Sequence, residues 1–139
     1  MDKRERMTQA NEDYLEAVYE LAGGEGKPVR SVDLANKLDV SKASVNKAIS
    51  VLKANGYVEQ EPYGDVFLTK QGAEYGRSVY RRHLALFHFL TDMLGVDPDV
   101  AEEEGCMMEH AISDGTLDKW IAFMEREAPD SVKAVDREE

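Results

Sequence analysis

Ser31–Thr69, SVDLANKLDVSKASVNKAISVLKANGYVEQEPYGDVFLT, is the stretch whose reading decides the fold. Ser31 is a good N-cap for a short helix whose apolar residues Leu34, Ala35 and Leu38 fall on one side. Asp39-Val40 makes a tight turn, and Ser41 caps a second helix from Lys42 to about Asn55. That helix buries Val45, Ala48, Ile49 and Leu52 and stops at Gly56. Two short helices joined by a tight turn are the helix-turn-helix pattern, with the second as recognition helix. Its outward residues Ser41, Lys42, Ser44, Asn46 and Lys47 include no acid, which suits phosphate contacts and base-edge hydrogen bonds. With Ser31 they are the candidate DNA-contacting residues. Tyr57–Glu61 and Val66–Thr69 then read as strands around Pro62-Tyr63-Gly64-Asp65, a hairpin placed as the wing of a winged helix. Glu59, Glu61 and Asp65 make the wing acidic, so it is not expected to grip phosphates strongly.

Before this stretch, the pattern predicts a helix over Gln9–Ala22, stopped by Gly23-Gly24, with Tyr14, Leu15, Val18, Leu21 and Ala22 as its apolar side. Asp13, Glu16 and Glu20 form a carboxylate stripe, and the ordinary reading of such a stripe is a solvated face. After it, Thr69 can cap a long helix from Lys70 to Leu94 that ends at Gly95. Val79, His83, Leu86, Leu90 and Met93 follow one of its faces, where a histidine is ordinarily a satisfied core residue. Asp97-Pro98 supplies an N-cap with proline at N1 for the next helix, which Asp114-Gly115 breaks. A last helix, Leu117 to Glu127, carries Leu117, Trp120, Ile121 and Met124 on one side, and the tail after Pro129 reads as charged and loose. The fold class expected is mainly α: an N-terminal winged helix-turn-helix with a small β-hairpin wing over residues 1–71, then an all-helical domain over residues 72–139.

The second helix after the wing, the one capped by Asp97, carries the chemistry. In Cys106-Met107-Met108-Glu109-His110, the thiol, carboxylate and imidazole at i, i+3 and i+4 project from one helical face, and Glu102 extends the stripe. Three donor types converging on one point suggest a metal ion, although a lone cysteine is more often a small buried hydrophobe. One helix walls only one side of such a site, and transition ions take four to six donors. The remaining candidates are His83 and the Asp13/Glu16 pair, from two other segments. A site drawing on three segments would couple metal binding to their relative placement.

Charge and composition narrow the function classes. The 139 residues carry a net charge of -11, but the sign is uneven. Residues 27–70 hold seven basic and five acidic side chains, whereas residues 71–139 hold seven and sixteen. An acidic body with a relatively basic module can still bind a polyanion through that module, with weak non-specific attraction elsewhere. A single cysteine cannot form an internal disulfide, and neither an apolar run of membrane-spanning length nor a leader is apparent. A cytoplasmic location is therefore expected. P-loop, dinucleotide and serine-nucleophile signatures are absent, so an enzyme is not expected.

With these pieces in order, the sequence resembles the diphtheria-toxin-repressor and manganese-transport-regulator family of metal-dependent repressors over residues 8–128. The carriers are EDYLEAVYEL, the winged helix, YRRHLALFHFLTDMLGVD and CMMEHAISDGTLDKW. The resemblance implies a homodimer that binds palindromic double-stranded operator DNA when loaded with metal, with residues 72–139 forming the dimerisation and metal-binding domain. It places the metal site on Asp13, Glu16, His83, Cys106, Glu109 and His110. Asp13 and Glu16 match the manganese branch and Cys106 the iron branch. Phe87 stands where the iron branch has an ancillary carboxylate, although Glu102 could contribute there. The SH3-like domain of larger members is not expected in this chain. A thiolate favours Fe(II), Co(II) or Zn(II) over Mn(II), while the carboxylates pull toward harder ions, so Fe(II) is expected with Mn(II) next. No organic cofactor is expected. The rival readings are a winged-helix regulator sensing an organic ligand, a metal-dependent hydrolase and a protein-interaction adaptor.

Overall fold

The computed structural model describes residues 7–62 and 64–138, so Tyr63 of the expected hairpin tip lies outside the described residues. The chain forms two compact units, Met1–Arg77 and Ser78–Glu139.

In the first unit, α1 (Gln9–Ala22) starts where the Thr8 hydroxyl accepts from the Asn11 amide and ends at Gly23, left-handed at φ 76°. α2 (Ser31–Leu38) and α3 (Lys42–Ala54) follow, then the antiparallel strands β1 (Val58–Gln60) and β2 (Val66–Leu68), with Val58 opposite Leu68 and Gln60 opposite Val66. Leu15, Val18, Leu34, Val45, Ile49, Leu52, Val58, Val66 and Leu68 are buried, one apolar stripe from each element. An isolated bridge from Val29 to Val66 fastens the approach to α2 onto the wing. α4 (Lys70–His88) opens with the Thr69 hydroxyl accepting from the Gly72 amide, as its sequence predicts. Gly72 is obligatory there, since a Cβ would lie 1.8 Å from the Tyr57 carbonyl oxygen.

The cap of α2 departs from expectation. Ser31 is its first helical residue and Arg30 occupies the N-cap without a side-chain cap bond. Arg30 instead forks onto Asp33, Nε and Nη2 each donating at 3.1 Å. That bond, with the charge of Asp33, holds the exposed guanidinium pKa above its ordinary value.

In the second unit the long helix does not run to Leu94 as an α-helix. After His88 it widens into a π-helical turn, Phe89–Met93, in which the Leu94 amide reaches back to the Phe89 carbonyl and the Thr91 hydroxyl donates to the Phe87 carbonyl. α5 (Pro98–Glu109) begins at the Asp97 cap as predicted. Asp114-Gly115 does not break a helix: α5 has already ended, and the Ser113 hydroxyl, accepting from the Thr116 amide, caps α6 (Asp114–Glu127). The tail is not loose either, because Pro129 opens α7 (Pro129–Glu138). Val135 of α7 joins Leu84, Ala85, Leu117 and Ile121 in the core, with Tyr80 and Ile112 packed against them. The Ser131 hydroxyl donates to Asp92 at 2.6 Å, tying α7 to the π turn. Trp120 meets Phe89 edge-on, centroids 5.0 Å apart. Among the described residues, no helix is long and apolar enough to cross a membrane.

Candidate metal centre and nucleic-acid face

α5 and the last turns of α4 build the donor cluster of the second unit. The two helices run close at Gly105, where a Cβ would lie 3.7 Å from the Phe87 amide nitrogen, an ordinary van der Waals contact. His110, the C-cap of α5, keeps right-handed helical geometry (φ -86°, ψ -13°), so its side chain stays in register one turn beyond Cys106. Cys106, Glu109 and His110 each present a ligand atom, all within 4.8 Å of one another. Glu109 is wholly buried. His83, also buried, places Nδ1 3.3 Å from a Glu109 oxygen and Nε2 3.0 Å from Glu102. His110 Nε2 lies 3.9 Å from the same Glu109 oxygen. The apolar stripe through Val79, Leu86 and Leu90 is buried as predicted, and His83 sits in it as part of a polar cluster rather than as an isolated core histidine. Met107 is 54% exposed, whereas the partly buried Ile112 packs against the core.

A carboxylate at zero exposure is costly unless charge and hydrogen bonding compensate it. Donor atoms bound at about 2.0–2.3 Å to one cation lie roughly 3–4.6 Å apart. The spacing of Cys106, Glu109 and His110 suits such an ion. Thiolate, imidazole and carboxylate together match a first-row transition metal rather than magnesium or calcium.

In the first unit, Asp13 and Glu16 stand one turn apart on α1, Asp13 half-buried and Glu16 buried at 7% exposure. A solvated stripe would not be buried. Only Glu20, exposed and 3.8 Å from Lys37, behaves as the ordinary reading expects. Sequence reasoning missed Glu12, 1% exposed, whose carboxylate accepts from the Tyr75 hydroxyl at 2.5 Å. Its placement one turn before Glu16 was the available signal.

On α3, Ser41, Lys42, Ser44, Asn46 and Lys47 are all exposed, opposite the buried Val45, Ala48, Ile49 and Leu52. The Ser41 hydroxyl accepts from the Ser44 amide at 3.1 Å, fixing the first turn. Ser31 is half-buried at the head of α2 beside the exposed Arg30, a basic residue that the sequence reading did not single out. Glu59 and Glu61 of the wing are exposed.

Two family models match the chain: the iron dependent repressor N-terminal DNA binding domain over residues 6–66, and the iron dependent repressor metal binding and dimerisation domain over residues 69–130. An uncharacterised HTH-type transcriptional regulator of Methanocaldococcus jannaschii is 36% identical over 120 residues, covering 86% of this chain and 96% of its own. The transcriptional regulator MntR of Salmonella typhimurium is 35% identical over 115 residues, covering 83% and 72%. Among solved structures, the manganese regulator SloR superposes with a TM-score of 0.73 at 29% identity, and the metal-dependent transcriptional regulator MtsR with 0.75 at 27%. Each match covers 86% of this chain but 55% of the solved one, so the chain spans about half their length.

Proposed function

The chain belongs to the iron-dependent repressor family, and from that premise we propose a metal-dependent transcriptional repressor that binds palindromic operator DNA as a homodimer when loaded with Fe(II) or Mn(II). In this reading residues 1–71 contact DNA and residues 72–139 dimerise and hold the ion, with Asp13 and Glu16 lent by the first helix. Cys106, Glu109, His110 and His83 are the donors of the second unit, and Glu102 orients the His83 ring through its Nε2. When bound, the ion supplies the positive charge that holds these donors together. The chain does the rest. Lys42 and Lys47 neutralise phosphates, Asn46 and Ser44 read base edges, and the dimer sets the separation of two recognition helices. That separation must match half-sites one helical turn, ~34 Å, apart. The protein works in the cytoplasm, where its DNA is.

The observation that carries this reading is the fully buried Glu109 carboxylate among a thiol and two imidazoles. Anaerobic titration of the metal-free protein with Mn(II) and with Fe(II), followed by binding to a palindromic duplex selected from random sequence, tests it. Both ions should tighten duplex binding. Operator affinity indifferent to either ion would overturn the reading in favour of an organic effector. His83→Ala should abolish the response.

A further inference from the structure

α1 carries two carboxylates of the proposed metal site, and two of its contacts with α4 bear on its orientation within the first unit. The first is a close approach. Gly76 of α4 faces α1 so tightly that a Cβ would lie 2.9 Å from the Cβ of Tyr19 and 3.4 Å from the Leu15 carbonyl oxygen. That contact sets the distance between the two helices, and α1 also packs on α2, α3 and β2 with Leu15, Ala17, Val18 and Ala22 buried. The second contact restrains the roll from the carboxylate side. The Tyr75 hydroxyl donates to the Glu12 carboxylate at 2.5 Å, and Glu12 is 1% exposed. The Tyr75 ring is itself braced, edge-on at 5.1 Å, by Tyr57 at the base of the wing.

Helical geometry shows why a roll matters. At 100° per residue, Glu12 and Glu16 project within about 40° of each other and Asp13 about 100° from Glu12. Rolling α1 by 30° would move a carboxylate at the ~5–6 Å side-chain radius by about 3 Å, more than a metal–oxygen bond of about 2 Å tolerates. We propose that the Tyr75–Glu12 hydrogen bond is a positioning contact that sets the roll of α1 and so aims Asp13 and Glu16 at the ion. Neither residue touches the metal. The proposal rests on the metal site described under Proposed function.

Mn(II) binding to the metal-free full chain tests it. Tyr75→Phe keeps the ring against Tyr57 and removes only the hydroxyl. It should weaken Mn(II) binding about tenfold, the loss typical of groups that orient ligands. Glu12→Gln still offers the hydroxyl an acceptor and should stay within about twofold of wild type, whereas Glu12→Ala should match Tyr75→Phe. The Tyr75→Phe/Glu12→Ala double variant should be no weaker than either single one, because both remove the same contact. With Co(II) as probe, Tyr75→Phe should retain thiolate-to-metal absorption from Cys106 while the visible ligand-field bands change. Wild-type Mn(II) affinity in Tyr75→Phe, with or without a lower metal-free melting temperature, would overturn the proposal if His83→Ala still loses binding. Unimpaired Mn(II) binding in His83→Ala would instead overturn the metal site itself.

Discussion

In the proposed metal site, Cys106 is the residue that would decide which ion suits this chain. A thiolate is the softest donor in the cluster, and replacing it with a carboxylate hardens the set toward manganese. Cys106→Glu is expected to raise the Mn(II)-over-Fe(II) preference by tenfold or more in an anaerobic competition titration. An unchanged ratio would show that the sulfur is not a ligand. Glu109 is expected to be less forgiving. Glu109→Ala should abolish metal-stimulated duplex binding while a folded metal-free protein remains, checked by circular dichroism beside a duplex titration. The cluster was legible in the sequence because Cys106, Glu109 and His110 lie on a single helix, where spacing alone implies convergence. Glu12 was not, because nothing in its own neighbourhood announces a tyrosine 63 positions later.

Elements were legible where local chemistry settles them. Gly23 and Gly56, both left-handed, end α1 and the α3 segment where a glycine stop was expected, and Ser41 and Asp97 cap the helices assigned to them. The misreadings share a cause. The tail after Pro129 reads as charged and loose, but proline serves well in the first turn of a helix, and α7 forms because Val135 and Ser131 find tertiary partners. The π turn depends on backbone pairing that no hydrophobic period reveals. Its link to α7 makes acid sensitivity predictable. Burial alone would raise the Asp92 pKa, but hydrogen bonds from Ser131 and Thr91 and the nearby His88 outweigh it and hold the group below the ordinary range. A depressed carboxylate pKa stabilises the fold above the unfolded value, and that contribution disappears as pH falls through the folded one. Asp92→Asn should therefore melt slightly below wild type at pH 7, by no more than a few degrees because solvent screens the 43% exposed carboxylate, with the gap closing as Asp92 protonates. At the other end of α4, Gly72→Ala should destabilise by about 1–3 kcal/mol in urea unfolding, since its methyl would collide with the Tyr57 carbonyl.

At the scale of the whole molecule, a net charge of -11 sits uneasily with a polyanionic partner, and the uneven distribution reconciles them. In the proposed function, attraction is confined to the surface of α3 and its surroundings, so each lysine there should count. Lys47→Ala is expected to weaken duplex binding across sequences and reduce the slope of log K against log salt by about 0.9, the signature of one lost phosphate contact. Linkage adds a reciprocal expectation: whatever factor the ion contributes to operator affinity, operator DNA must return to ion affinity. The edge-on contact of Trp120 with Phe89 has an optical consequence. Trp120 is the sole tryptophan, and it belongs to the second unit, so its fluorescence emission follows the loosening of that unit alone. The first unit, which holds tyrosines and Phe67 but no tryptophan, must be watched by other light, and the two can be melted in one cuvette and told apart without a dye.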